Sequence, residues 1–238
     1  MSAGEPLVEF LGVVKDYQAL RPLRLAELRV AAGAVVSIGG IDALGAEVLV
    51  NLMTAAMAPD TGTVRLFGTS TAAIDDYDGW LAMLDGLGLL TERAVLLGQC
   101  TVAQNLALPL TLSIDPIRAD VQPQVAALAA EVGIAAELLD VRVTDAAAAV
   151  VQRVRLARAL ALDPRLLVAE HPSAPLPRDA VAGFARDLAA IASRRGLAVL
   201  AISADKEFVR ALGGTALTLD AATGVLARPG LLARLGLG

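Results

Sequence analysis

Lysine is nearly absent from this chain of 238 residues: Lys15 and Lys206 are its only two, and the rest of the positive charge is arginine. A lysine that grips a phosphate would have to be one of them. Histidine occurs once, as His171, and cysteine once, as Cys100. Such an inventory excludes a disulfide framework and a Cys/His zinc cluster, and a nucleophilic triad would have to use His171. Aromatic residues are only 3% of the chain. No apolar run approaches the roughly 20 residues that span a bilayer. The opening Met1–Pro6 segment lacks the charged start and apolar stretch of a signal peptide, so a cytoplasmic protein is expected. With Lys+Arg 20 against Asp+Glu 25 and a net charge of -5, a nucleic-acid partner is not expected, because phosphate neutralisation needs a basic face.

Aliphatic residues are what the chain has in plenty. The hydrophobic fraction is 56% and the mean hydropathy +0.63, carried by Ala, Leu and Val. Either much of this is alanine in helices, or a permanent partner covers an apolar surface.

Apolar patterning predicts strands at 7–14, 23–30, 34–38 and 63–67, with a helix over 46–57 after a glycine-bearing loop. The stretch from about 91 to 150 reads as mostly helical, with a helix from Gln122 and a break at Gly133. Beyond it, helices at 151–162, 178–195 and 206–212 alternate with strands at 166–169, 197–203 and 216–220. Helices between apolar strands imply crossover units and a largely parallel sheet.

The loop reads Gly40-Ile41-Asp42-Ala43-Leu44-Gly45-Ala46-Glu47. Against G-x-x-x-x-G-K-[ST], both glycines are present and both functional side chains are absent. Other landmarks follow in order: Lys15-Asp16-Tyr17, Pro59-Asp60-Thr61-Gly62, Thr101-Val102-Ala103-Gln104-Asn105, Gln152 to Leu160 with Asp163-Pro164, and Leu219-Asp220 with Gly224. Together they resemble the ATP-binding subunit of ABC transporters from about Leu7 to about Leu226. The resemblance implies an α/β, P-loop NTPase-like nucleotide-binding domain over 1–238. Its core sheet would be mostly parallel, with an N-terminal antiparallel β part and a helical subdomain inserted at about 93–150. The Thr101–Leu110 stretch with Leu112 leans weakly toward the lipoprotein-release and macrolide-export branch.

The same resemblance assigns the functional positions. Tyr17 would stack on a base, and Gly40, Gly45, Ala46 and Glu47 would form the phosphate loop. Ala46 stands in the place of the phosphate lysine and Glu47 in that of the metal-binding hydroxyl. Glu92 falls where the sensing glutamine sits. The signature motif lands on Ala146–Val150, so Ala147, Ala148 and Ala149 replace the residues that touch nucleotide across a dimer. Glu170-His171 replaces Asp-Glu, Ala204 the switch histidine, and Pro177 an interface aspartate. Ala46 alone removes a contact worth roughly 1.5–3 kcal/mol. With carboxylates at Asp42 and Glu47, nucleotide binding would weaken on the order of 100- to 10,000-fold. Glu47, Glu92, Glu170 and His171 should converge, either as hydrated carboxylates or around a divalent metal.

A catalytically degenerate pseudo-ATPase is therefore expected, with no catalytic residue and no metal or other cofactor. Weak ATP–Mg²⁺ binding through Tyr17 and Glu170 is left open. By resemblance it would be a scaffold or regulatory subunit, dimeric, beside an integral membrane permease and/or a homologous ATPase, peripheral on the inner face of the membrane. A slow ATPase at a composite site and a soluble module binding another ligand in the old cleft are the alternatives.

Overall fold

The structure, a computed structural model, describes residues 5–74 and 76–228; the remaining residues of the expected 1–238 unit lie outside the described ones. Two strands open the chain, β1 (Val8–Lys15) and β2 (Leu23–Val30), paired antiparallel. In β2, Leu23, Leu25, Leu28 and Val30 are buried while Arg24 and Arg29 face out, the pattern of a strand covered on one face. Then come β3 (Val35–Gly39), α1 (Ala43–Met53), β4 (Thr61–Leu66) and β5 (Thr69–Ser70). Strands β4 and β5 join the first pair in a sheet ordered β2-β1-β4-β5.

Further along are α2 (Tyr77–Asp85), β6 (Leu87–Leu90), α3 (Val102–Ala107), α4 (Gln122–Glu131) and α5 (Ala148–Leu160). The chain continues through β7 (Leu166–Glu170), α6 (Arg178–Arg195), β8 (Ala198–Ile202), α7 (Lys206–Leu212), β9 (Thr215–Leu219) and β10 (Leu226–Ala227). The second sheet is ordered β10-β9-β3-β8-β7-β6, parallel throughout except for β10 on β9.

Strand alternation divides the core between the faces of this second sheet. Leu166 and Val168 of β7, with Ala198, Leu200 and Ile202 of β8, pack toward α1 and the antiparallel sheet. Their neighbours Leu167, Ala169, Val199 and Ala201 pack toward α5 and α6. Residues buried on both faces explain why these strands read as unbroken apolar runs. The expected α/β architecture, with an antiparallel part and a mostly parallel core, is the one observed.

Two local expectations are corrected, and one stretch without an expectation is filled. Helix α1 starts three residues before the expected Ala46, because Asp42 caps it, and ends at Met53, with Ala55 in the left-handed region at φ 57. The 91–150 stretch is far less helical than its apolar periodicity suggests. It holds α3, α4, the first residues of α5 and short 3₁₀ turns at Ala136–Leu138 and Val143–Asp145. Helix α4 stops at Glu131, and Gly133 turns the chain with φ 74. Finally, α2 and β6 occupy a stretch without a clear pattern. Strand β6 passes so close beneath α5 that a Cβ at Gly88 would lie 2.4 Å from the Ala159 carbonyl oxygen.

That contact gives a stability prediction. Gly88→Ala must push β6 away from α5, and overpacking of this kind costs about 1–3 kcal/mol. Urea unfolding followed by circular dichroism should show a lowered midpoint with an unchanged slope.

Candidate functional site

In a parallel sheet all strands end on one edge, and ligands bind there where strand order reverses. Here β3, β6, β7 and β8 deliver Gly40, Thr91, His171 and Ser203 to that edge. Hydrogen bonds from His171 N–H to the Ile202 carbonyl and from Ser203 N–H to the Ile38 carbonyl, both 2.9 Å, hold the strand ends level. Gly40 has φ 80, and a Cβ on it would meet the Leu219 carbonyl oxygen at 2.6 Å, so only glycine fits where the chain leaves β3.

The connection from β3 to α1 is short. Asp42 is the N-cap, and its Oδ1 accepts from the Gly45 N–H at 2.7 Å while its carbonyl oxygen accepts from the Ala46 N–H at 2.9 Å. Helix N-termini bind anions because their first N–H groups lack partners. At Gly45 an internal carboxylate has taken that role, and it also satisfies the positive end of the helix. Ala46 is wholly buried within α1, and Glu47 follows it on the helix, partly exposed.

Tyr17, Gly40, Asp42 and Gly45 line one cleft of about 540 Å³, together with Arg21 and Arg24. The Tyr17 hydroxyl reaches over the start of α1, 3.5 Å from where a Gly45 Cβ would stand. Burial, and secondly the Asp42 carboxylate, hold the Tyr17 phenol above its usual ionisation range.

A second recess of about 570 Å³ is lined by Leu44, Glu47, Glu92, Arg93, Glu170 and His171, among others. The four residues expected to converge there do so. Between two of them lies a side chain that the sequence reasoning missed. Arg93 Nη1 is 2.9 Å from Glu47 Oε1, and its Nη2 is 2.6 Å from Glu170 Oε2. One signal pointed to it: two carboxylates brought together at the end of a buried strand require a cation, and the only basic residue near Glu92 in sequence is its neighbour. His171 has φ 44, in the tight turn after β7, and its buried Nε2 has no hydrogen-bond partner. Among the described residues, no group of three or more His, Cys, Asp or Glu is arranged to hold a metal ion.

The remaining expected positions lie elsewhere. Ala147 is the N-cap of α5, with no side chain to cap it, and Ala148 and Ala149 form its first turn. None of the three lines either recess. Ala204 sits in a separate shallow depression beside Arg178, Asp205 and Lys206. There Arg178 bonds Asp205 at 2.7 Å and Glu207 at 2.9 Å, tying the start of α6 to the start of α7. Pro177 precedes α6 as its N-cap.

The Tyr17–Asp42 pair can be tested by titration. In a Tyr77→Phe background, the Tyr17 phenol should ionise above the ordinary tyrosine value of about 10. Asp42→Asn removes the neighbouring negative charge and should bring the ionisation down, though not fully, since burial is the larger cause. Ultraviolet difference absorbance against pH reads both.

Comparison with known proteins places this geometry. Residues 23–174 match the family described as ABC transporter. The Burkholderia mallei methionine import ATP-binding protein MetN 2 is 31% identical over 198 residues, covering 83% of this chain and 49% of that protein. A Pseudomonas fluorescens methionine import ATP-binding protein is 29% identical over 233 residues, covering 95% and 68%. The chain thus spans about half the length of the first of these relatives. Among solved structures, the dimeric ATP-binding cassette MJ0796 with ADP and Pi superposes with TM-score 0.75 at 19% identity, covering 93% of this chain and 98% of that one. The cbiO1 protein of Clostridium perfringens, part of a cbiONQ transporter complex, superposes with TM-score 0.77 at 16% identity over 98% and 92%. The described residues contain no helix long and apolar enough to cross a membrane. With most of its length matched by the family and its fold that of an ATP-binding cassette, the chain belongs to the ABC transporter family as an ATP-binding-type domain.

Proposed function

We propose that this chain is a catalytically degenerate ABC-type subunit that acts as a scaffold or regulator for a transport assembly, without gripping ATP–Mg²⁺. One observation carries the reading: the Asp42 carboxylate already holds the Gly45 N–H at 2.7 Å, at the point where the family's loop meets phosphate. A triphosphate arriving there would have to displace that carboxylate and would face its negative charge. The residues that would hold the metal and the γ-phosphate do not fit them. Ala46 provides no charge, and Arg93 lies between Glu47 and Glu170. Phosphoryl transfer depends on a lysine, a metal-binding hydroxyl and a carboxylate around that phosphate. No hydrolytic step is assigned to these residues.

The partner side of the reading rests on a second groove of about 420 Å³ between the core and the helical insertion. Leu81 and Leu162, both exposed, stand on its rim. Arg158, whose ionisation is lowered by burial, has the Val95 carbonyl oxygen as its acceptor at 2.7 Å. An apolar groove with a cation at its wall suits a helix of a membrane permease, which would hold the chain on the inner face of the membrane. The dimeric cassette among its structural neighbours supports a second ATPase-type subunit as the other partner. The methionine-import names of its relatives favour an importer over the lipoprotein-release and macrolide-export branch.

Isothermal titration of ATP–Mg²⁺ into the purified protein should show a dissociation constant weaker than about 1 mM, roughly -4 kcal/mol of binding. Low-micromolar binding that disappears in Tyr17→Ala would overturn the reading in favour of a working nucleotide site. Ala46→Lys with Glu47→Ser should not restore binding alone, because Asp42 still holds the Gly45 N–H in the loop. Adding Asp42→Gly should. Affinity purification from detergent-solubilised membranes should recover an integral membrane protein, and Leu162→Asp should release it.

A further inference from the structure

The P-loop hydroxyl and a carboxylate at the end of another core strand are the two protein ligands that hold Mg²⁺ in P-loop nucleotide-binding folds. In this chain those positions are Glu47 and Glu170, and the guanidinium of Arg93 lies between them, one arm on each. The Glu170 side chain is only 10% exposed, so its charge needs a nearby cation. Arginine suits the place: it stays charged at any working pH, and its planar fork can meet two carboxylates at once.

The segment that carries Arg93 is held at its far end as well. Asn105, fully buried in α3, accepts from the Leu97 N–H at 2.8 Å and donates to the Leu97 and Thr101 carbonyls, both at 3.0 Å. Thr101 and Gln104 close a reciprocal capping box at the start of α3. Residues 91–101 therefore form a strap between the core and the helical insertion, fastened to the core by Arg93 and to the insertion by Asn105.

We propose that Arg93 is a tethered cation in the metal's position, which clamps the helical insertion to the core permanently, so that the junction does not respond to nucleotide or Mg²⁺. This rests on the reading of the site as one that does not grip ATP–Mg²⁺. A bound metal comes and goes with its ligand. A guanidinium on the same chain is present at a high effective concentration at all times. The clamp makes the chain a fixed partner in an assembly, in keeping with a scaffold.

Hydrogen exchange read by mass spectrometry on the full chain tests it. In the unaltered protein, exchange in peptides covering 91–101 should be the same with and without ATP–Mg²⁺. In Arg93→Gln those peptides should exchange about tenfold faster or more, while β8 peptides over 198–202 keep their protection, which shows an intact core. Glu47→Gln, at a partly exposed side chain, cuts one arm with little risk to folding and should give a smaller acceleration in the same peptides. Unchanged exchange at 91–101 in both variants would overturn the clamp. Low-micromolar ATP–Mg²⁺ binding by the unaltered protein, read separately by titration, would overturn the underlying reading instead, so the two failures are distinguishable.

Discussion

A helix that begins at the end of a parallel strand presents N–H groups and a positive dipole end to the ligand edge of the sheet. What those groups bind decides what the edge can do. In this chain the acceptor is Asp42, whose carboxylate takes the Gly45 N–H and whose carbonyl takes that of Ala46. The helix consequently starts at Ala43, inside the glycine-bearing loop. Ala46 is drawn into the core, and Glu47 follows it up the helix to face Arg93. The cap, the buried alanine and one of the two bridged carboxylates thus lie together at one helix start, between Asp42 and Glu47.

The scarcity of lysine and the surplus of alanine have a structural meaning within that frame. Neither Lys15 nor Lys206 lies in the loop; Lys15 instead bonds Asp60 at 2.7 Å, fixing the turn before β4. Part of the alanine stands at Ala46, Ala147–Ala149 and Ala204. At 148–149 it begins a helix, as its propensity favours. Part of the apolar excess fills the two faces of the parallel sheet. A smaller part is exposed, as at Leu20, Leu44, Leu112 and Leu162. The exposed share is what a covering partner would explain.

Elements with a strong local signal were legible from the residues. Strand β2 and helices α6 and α7 occupy the expected positions because alternation, a closing Gly196 and a capping Asp205 are all local features. Helix α2 and strand β6 were not legible. They are short, and a close approach between Gly88 and Ala159, distant in sequence, fixes their placement. The 91–150 stretch looked helical because its apolar residues are spaced for burial. Much of it instead forms loops held by single side chains such as Asn105. At the site, the convergence of Glu47, Glu92, Glu170 and His171 could be read from the resemblance. The arginine between two of them was missed: its one pointer, the need of two converging carboxylates for a cation, is not a local feature, and the salt bridge to Glu170 spans 77 residues.

The sequence by itself determined the fold class and its order of elements, because hydrophobic period, capping residues and turn glycines act over a few residues at a time. It also determined that neither of the two lysines stands in the loop after β3, in any conformation. Only the tertiary structure decided how the residues that do stand there are paired. Whether Asp42 faces solvent or caps α1, and whether Arg93 floats or bridges Glu47 and Glu170, depends on where β3, β6 and β7 end relative to one another. That relation comes from the parallel sheet, whose strands are far apart in the chain and side by side in space.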